Sequence, residues 1–97
     1  MVIEWLEFRI PPDKQEAFIQ RDEEVWTQGL KQLQGFIGKE VWTDPNRERV
    51  ILVIRWETRE AWKSVPARTI RALDRQMGEL RYPITHSLEY RVRKFLH

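Results

Sequence analysis

The segment RVILVIRW, residues 49–56, is the feature that most restricts the fold of this chain. The run from Val50 to Ile54 is apolar throughout and mostly β-branched, which favours a strand over a helix. Successive side chains of a strand point to opposite faces of its sheet. Both faces of this strand are therefore apolar, and both must be covered.

Predicted strands and helices alternate along the rest of the chain. The strands are predicted at residues 2–10, 36–42, 49–57 and 83–95. A long helix is predicted from Pro12 to the terminating glycine Gly35, and a second helical region runs from Thr58 to Leu80 with a break at Pro66. The order βαββαβ predicts an α+β fold, a ferredoxin-like antiparallel sheet with both helices on one face. We expect residues 1–97 to form a single domain, because a chain of this length builds one core.

The second face of the predicted sheet needs a cover that this chain does not supply. Two helices cover only one face, whereas residues 50–54 are apolar on both. A second copy of the same chain is the simplest cover for the other face. We therefore expect a homodimer.

Charge and composition disfavour several classes of function. Seventeen Lys and Arg against fifteen Asp and Glu give a net charge of +2, too small to attract nucleic acid strongly. The third strand also lacks the glycine and paired rings of RNA-recognition domains, which share this element order. The chain has no cysteine and two histidines, His86 and His97, which disfavours a metal site. It shows no leader-like or membrane-spanning run, so we expect a cytoplasmic protein with no membrane partner.

Asp22 is the strongest candidate for a catalytic residue. On a helical wheel it falls inside the apolar arc of the long helix. A carboxylate in such a place is costly unless it is paired or protonated. One interpretation is a general base that faces a ligand cavity. The other, which the pattern favours, is a structural acceptor for an arginine or for the indole N–H of Trp5, Trp26 or Trp56.

The strands supply further candidates. By alternation, Glu7 and Arg55 lie on the same side of the sheet as Trp5, away from the helices. They form either a cross-strand ion pair or a polar anchor in an aromatic pocket. Trp5 and Trp62 are candidate walls of that pocket. His86 is either a substrate anchor or a hydrogen-bonded surface histidine.

Gly38, in the segment LQGFIGKEVW, lies within a predicted strand, where glycine is normally avoided. By alternation it shares a face with Phe36, Glu40 and Trp42. Its missing side chain permits a bulge, or lets a helix, a partner chain or a ligand come close. We expect protein to fill the space.

The segments GFIGKEVW and VILVIRWETREAWKS, joined by a turn, resemble the antibiotic-biosynthesis-monooxygenase-like group of dimeric α/β-barrel proteins, and most closely an uncharacterised subfamily of it. The resemblance covers nearly the whole chain in element order. It implies a homodimer whose two sheets pack face to face into a barrel.

The resemblance also implies chemistry on small aromatic molecules. Cofactor-independent oxygenases of the group use Asn, Trp, Arg and Tyr side chains, and Trp62, Arg55 and either Tyr90 or Tyr82 match three of these types. The expected asparagine is missing, since the only asparagine is Asn46 in a turn. Haem-degrading members use a histidine on the second helix, which this chain lacks, so haem degradation is disfavoured.

The sequence thus predicts a metal-free, cofactor-independent oxygenase or isomerase that acts on a small aromatic or enolisable molecule. The alternative is a non-catalytic module that binds a small apolar ligand or a partner. The predicted catalytic residues are Asp22 as the base and Arg55 or His86 as the anchor. The predicted substrate contacts are Trp5, Glu7, Trp62 and Tyr90.

Overall fold

The computed structural model describes residues 1–96 of the 97-residue chain. Its elements are β1 (Val2–Arg9), α1 (Pro12–Asp22), a π-helical turn (Glu23–Thr27), α2 (Gln28–Leu30), β2 (Phe36–Thr43), β3 (Arg49–Trp56), α3 (Arg59–Lys63), α4 (Ala67–Gln76), a 3₁₀ turn (Gly78–Leu80) and β4 (Ile84–Arg91). The predicted βαββαβ order is confirmed. The last strand is shorter than predicted because β4 pairs with β1 alone, and Arg91 lies opposite Val2 at the start of β1.

The four strands form one antiparallel sheet in the order β2-β3-β1-β4. The apolar run of β3 therefore lies in a central strand, as its composition requires. One face of the sheet packs against the helices, with Phe8, Val50 and Leu52 in one buried cluster and Ile54 and Trp56 in another. We call this the helix face.

The other side of the sheet, which we call the open face, is covered by no helix of residues 1–96. Cross-strand partners share a face, so the pairs Ile3–Arg55 and Trp5–Val53 place the odd-numbered positions of β1 and β3 there. From the edge strands, Trp42 lies opposite Ile51, and Leu88 lies opposite Trp5. Trp42, Leu88 and Tyr90 are between 42% and 51% exposed, so this face presents large apolar side chains to solvent.

The first helical region differs from the continuous helix that the sequence predicts. Five residues, Glu23–Thr27, form a π-helical turn between α1 and α2. The region ends at Gly35 as predicted, with φ +87°. A Cβ at Gly35 would collide with the Cβ of Ala61, so glycine is required there by both conformation and space. No helix within residues 1–96 has the length and apolar character needed to cross a lipid bilayer.

The start of β2 contains a bulge between Phe36 and Gly38. Phe36 lies opposite Trp56 on the helix face, and their rings are 5.9 Å apart. Gly38 lies opposite Arg55 on the open face. The bulge that glycine permits is thus confirmed, but the prediction that Gly38 and Phe36 share a face is wrong, because the extra residue reverses the alternation. The prediction that protein fills the space beside Gly38 also fails within this chain, since apart from its two neighbours in sequence no atom lies within 4 Å of a Cβ built at Gly38.

Candidate active site

A cavity of about 620 Å³ lies between the helix face of the sheet and the helices. Its walls are mainly apolar, and the aromatic lining residues are Phe8, Phe18, Trp26, Trp56, Trp62 and Tyr82. Six charged residues also line it: Glu4, Asp22, Lys39, Lys63, Asp74 and Arg81. An apolar pocket with a few converging polar groups is the usual form of a small-molecule site.

Asp22 and Lys39 form a buried ion pair at this cavity. Lys39 Nζ lies 2.5 Å from Asp22 Oδ2, and the two side chains are only 3% and 1% exposed. Burial raises the pKa of Asp22 and lowers the pKa of Lys39, against the attraction between the two charges. Asp22 Oδ1 is buried and has no hydrogen-bond partner among the described residues. A carboxylate oxygen in that state has unused capacity to accept a proton or a hydrogen bond.

The π-helical turn explains how this pair is assembled. Lys39 Nζ donates to Thr27 Oγ1 at 3.1 Å as well as to Asp22. In a regular α-helix two residues five apart point about 140° away from each other. The π turn closes an i→i+5 hydrogen bond, from the Gln28 N–H to the Glu23 carbonyl, and so brings residues five apart together. It thereby lets Asp22 and Thr27 share one ammonium group.

Glu4 is a second carboxyl group on the cavity wall. Trp56 Nε1 donates to Glu4 Oε1 at 3.1 Å. Burial raises the pKa of Glu4, while hydrogen bonds from Trp56 and Trp62 and the charges of Lys63 and Lys39 oppose that rise. The inner cavity thus contains two carboxyl groups, Glu4 and Asp22, near one buried ammonium.

The solvent side of the cavity is formed by α3, α4 and the segment before β4. Lys63 Nζ lies 3.9 Å from the ring centroid of Trp62, a cation–π contact. Arg81 forms an ion pair with Asp74, with 2.6 Å between Nε and Oδ2. Both contacts are partly exposed side-chain interactions, which open at low cost.

Of the seven predicted site residues, Asp22 and Trp62 line the cavity. The other five lie on the open face: Trp5, Glu7, Arg55, His86 and Tyr90. The sheet separates the two groups. The structure therefore does not bring Asp22 together with either predicted anchor, and Trp5 is not a wall of this cavity.

Glu7 is the centre of a hydrogen-bonded cluster on the open face. It accepts from Arg49 at 3.0 Å, from the Thr85 hydroxyl at 2.7 Å, and lies 2.6 Å from His86 Nδ1. The hydrogen bond from Thr85, then that from His86, lowers the pKa of Glu7 to about 2. Arg49 also donates to Asp44, which joins the cluster to the turn before β3.

The predicted cross-strand ion pair between Glu7 and Arg55 is not present. Glu7 lies opposite Ile51, and Arg55 lies opposite Ile3. Arg55 instead donates to Glu40 on β2 at 2.9 Å. The residues share a face, as alternation predicts, but not a register position.

The sequence patterns did not single out Glu4 or Lys39, and they indicated the wrong structural partner for Asp22. The acceptor role predicted for Asp22 involved an arginine or an indole, whereas its partner is Lys39. A strand lysine is ordinarily a surface residue, and nothing in the alternation of β2 marks Lys39 as buried. Glu4 carried a usable signal, because it shares a strand face with Leu6 and Phe8.

The side chains that line the cavity offer no histidine ligand for a haem iron. His86 lies on the open face, and His97 lies outside the described residues. Within residues 1–96 no group of three or more His, Cys, Asp and Glu side chains is placed to hold a metal ion.

The fold is similar to that of several solved structures. The monooxygenase ActVA-Orf6 of Streptomyces coelicolor, in complex with nanaomycin D, aligns over 99% of this chain and 90% of its own with 13% identity and a TM-score of 0.81. A conserved protein from Methanosarcina mazei aligns over 93% of this chain and 90% of its own with 15% identity and a TM-score of 0.70. A variant of MhuD with manganese protoporphyrin IX bound aligns over 100% and 99% with 19% identity and a TM-score of 0.71. At these identities the likeness concerns the fold alone.

Sequence comparison identifies the family. No curated protein shows a significant sequence match to the chain. The family model described as antibiotic biosynthesis monooxygenase matches residues 1–65, about two thirds of the sequence, a stretch that contains Glu4, Asp22, Lys39 and Trp62. The chain therefore belongs to the antibiotic biosynthesis monooxygenase family.

Proposed function

We propose that this chain is a small-molecule enzyme whose active site is the cavity between the sheet and the helices. Its substrate would be a small aromatic or enolisable molecule, and its reaction an oxygenation or an isomerisation that needs no cofactor. The observation that carries the proposal is Asp22, a buried carboxylate whose Oδ1 has no partner, on the wall of a cavity lined with aromatic side chains.

Asp22 is suited to act as a general base. Burial raises its pKa, which brings a carboxylate closer to the range where it both accepts and releases protons near neutral pH. Lys39 occupies the other oxygen and would stabilise the negative charge that develops when a C–H or O–H proton leaves the substrate. Return of that proton at another atom completes an isomerisation, whereas reaction of the same anion with O₂ as oxidant gives an oxygenation.

The alternative is a binding module without catalysis, and the Asp22–Lys39 pair also gives it support. Buried ion pairs occur as structural elements, and this one joins α1 to β2. In that case the cavity would hold a small apolar ligand. The two candidates differ in whether Asp22 exchanges protons with a bound molecule.

A homodimer formed through the open face belongs to the proposal. Support comes from the exposed apolar side chains there, Trp42, Leu88 and Tyr90, and from the space beside Gly38. A second copy packed on this face would cover them and form a barrel. The single domain over residues 1–97 and the cytoplasmic location stay predictions.

Deuterium exchange into 2-tetralone, an aromatic ketone with enolisable C–H bonds, tests the catalytic proposal. The wild-type protein in D₂O should accelerate exchange above the buffer rate, as followed by proton NMR. Asp22→Asn should lose that acceleration by about 10²-fold or more, the usual contribution of a general base. The matched control is Asp13→Asn, the same chemical change at an exposed position of α1.

Native mass spectrometry of freshly purified protein complements this test, since it reports stoichiometry and any retained small molecule together. Equal exchange with wild-type protein and with Asp22→Asn would contradict the catalytic proposal. A retained ligand together with that result would favour the binding module instead.

A further inference from the structure

Glu4 is a buried acid on the cavity wall that the base chemistry of Asp22 leaves unused. It extends from β1 on the helix face, beside Leu6 in the cavity lining. The Trp56 indole fixes its Oε1 at 3.1 Å, and Trp62 also acts on the same carboxyl. A carboxyl held in this way has a defined direction toward the cavity, which a free surface glutamate lacks.

The charges around Glu4 leave it as the less compensated of the two carboxyl groups. Lys39, on β2, is already committed to Asp22, from α1, through direct contact. Lys63, on α3, acts from the rim and is exposed. Glu89, opposite Glu4 on β4, is neutralised by its own ion pair with an arginine. Burial raises the pKa of Glu4 against these cations. Of the two carboxyl groups, Asp22 has an ammonium in direct contact, whereas the contact fixed for Glu4 is the neutral indole of Trp56.

We propose that Glu4 is the proton donor of this cavity and acts on the substrate together with Asp22. Asp22 takes a proton from a substrate C–H bond next to a carbonyl group; the electron pair of that bond forms the C=C double bond, and the π pair of the carbonyl group moves to its oxygen. That oxygen forms a bond to the proton of Glu4, which becomes a carboxylate. The product is the enol form of the substrate, and the reverse transfers restore both groups.

This inference rests on the proposed function in one respect, since it takes the cavity as the active site. Its own content is separate, since it assigns the donor role to Glu4. A ligand group that accepts a hydrogen bond should therefore bind at Glu4, and a ligand group that donates one should bind at Asp22. Two naphthalene compounds test Glu4 and Asp22 separately. 2-Acetylnaphthalene offers only an acceptor, and 2-naphthol offers a hydroxyl donor.

Binding of each compound, measured by quenching of tryptophan fluorescence between pH 4 and 8, tests the inference. 2-Acetylnaphthalene should bind about tenfold more weakly once Glu4 has lost its proton, which is the effect of one lost hydrogen bond. 2-Naphthol should show the opposite trend, because it needs Asp22 ionised. Glu4→Gln, whose amide still donates, should keep the affinity for 2-acetylnaphthalene and remove its pH dependence.

Two variants make the assignment specific. Glu4→Met should weaken 2-acetylnaphthalene about tenfold at low pH and leave 2-naphthol nearly unchanged. Asp22→Asn should remove the pH trend of 2-naphthol only. Urea unfolding of each variant establishes that the protein is folded under the binding conditions, and Glu4→Gln, which changes neither shape nor the indole contact, is the reference for any loss of stability.

The outcomes distinguish this inference from the proposed function. If 2-acetylnaphthalene binds without pH dependence, or responds to Asp22→Asn instead of Glu4→Gln, Glu4 is not the donor, while the role of Asp22 stands if 2-naphthol depends on it. If 2-naphthol ignores Asp22 but 2-acetylnaphthalene follows Glu4, the base assignment fails and the donor assignment holds. If neither compound binds, both are overturned.

Discussion

Replacing Lys39 by methionine removes the ammonium that Asp22 contacts while preserving most of the side-chain volume. Asp22 would then be a carboxylate with 1% exposure and no opposing charge in contact, and its Oδ1 already has no partner. Loss of one partner of a buried ion pair costs about 3–5 kcal/mol. That is a large share of the total stability of a domain of this size, about 5–15 kcal/mol.

The reverse change, Asp22→Leu, should cost a similar amount at neutral pH, because it leaves Lys39 buried and unpaired. The double variant should behave differently. Replacing both members of a buried pair by apolar residues is neutral or stabilising by about 1–4 kcal/mol. The two single losses should therefore not add, and the coupling energy should be at least as large as their sum, roughly 6–10 kcal/mol, because the double variant loses little or nothing.

The loss in Lys39→Met should also depend on pH. Burial favours the neutral form of Asp22, and without Lys39 that preference grows. Asp22 in the variant binds a proton more readily than in the unfolded chain, so the stability lost relative to wild type should shrink as the pH falls toward 4. The assay is urea unfolding followed by tryptophan fluorescence, with the slope of the transition compared between variants.

Arg59→Met is the matched control, because the Arg59–Glu89 pair has a similar contact of 2.8 Å but side chains that are 60% and 38% exposed. Its removal should cost less than about 1 kcal/mol. The reasoning is refuted if Lys39→Met costs no more than this control, or if the double variant loses the sum of the two single losses. Either result would mean that solvent reaches the pair and that Asp22 is an ordinary surface carboxylate.

Three further outcomes are expected. Because the pKa of Glu7 is lowered to about 2, the stability that ionised Glu7 gives the fold should be present above pH 4.5 and be lost as the pH falls toward 2. Acid unfolding should show a loss of about 1–2 kcal/mol over this range, a figure kept small because solvent near the partners of Glu7 screens the interaction. Glu7→Gln should not show this pH-dependent loss. Gly35→Ala should lower the free energy of unfolding in urea by about 2–4 kcal/mol, because the backbone is left-handed there and the new Cβ collides with Ala61. A loss below about 0.5 kcal/mol, the size of a neutral surface change, would contradict this. Leu88→Glu should leave the fold intact but convert the proposed dimer to monomers in native mass spectrometry, whereas a monomeric wild type would remove the basis of the proposal.

The fold was predictable because its signals are regular. The apolar run of β3, the terminating glycine Gly35 and the start of the second helical region at Thr58 each depend on a few residues of sequence, and the structure confirms all three. The Thr58 hydroxyl accepts a hydrogen bond from the Ala61 N–H and so caps α3. The burial of Asp22 followed from the helical wheel, since positions up to Asp22 lie in regular α-helix. These predictions needed only local propensity and period.

The partners of the site could not be predicted, because each depends on a departure from that regularity. Without the bulge at the start of β2, the pairing of Phe36 with Trp56 would turn Lys39 to the open face. Without the π turn, Thr27 would point away from Asp22. A helical wheel at 100° per residue and strict strand alternation each assume that such insertions are absent.

The two irregularities act on the same ion pair, and that coincidence bears on function. A bulge and a π turn each cost regular hydrogen bonds, and either one alone would leave Lys39 or Thr27 misplaced. Together they place one ammonium between a carboxylate and a hydroxyl, at 2.5 Å and 3.1 Å, on the wall of a cavity. A core that needed only stability would be served as well by apolar residues at these positions. The pair, with Asp22 Oδ1 buried and unpartnered beside the cavity, is the arrangement on which the proposed role of Asp22 rests.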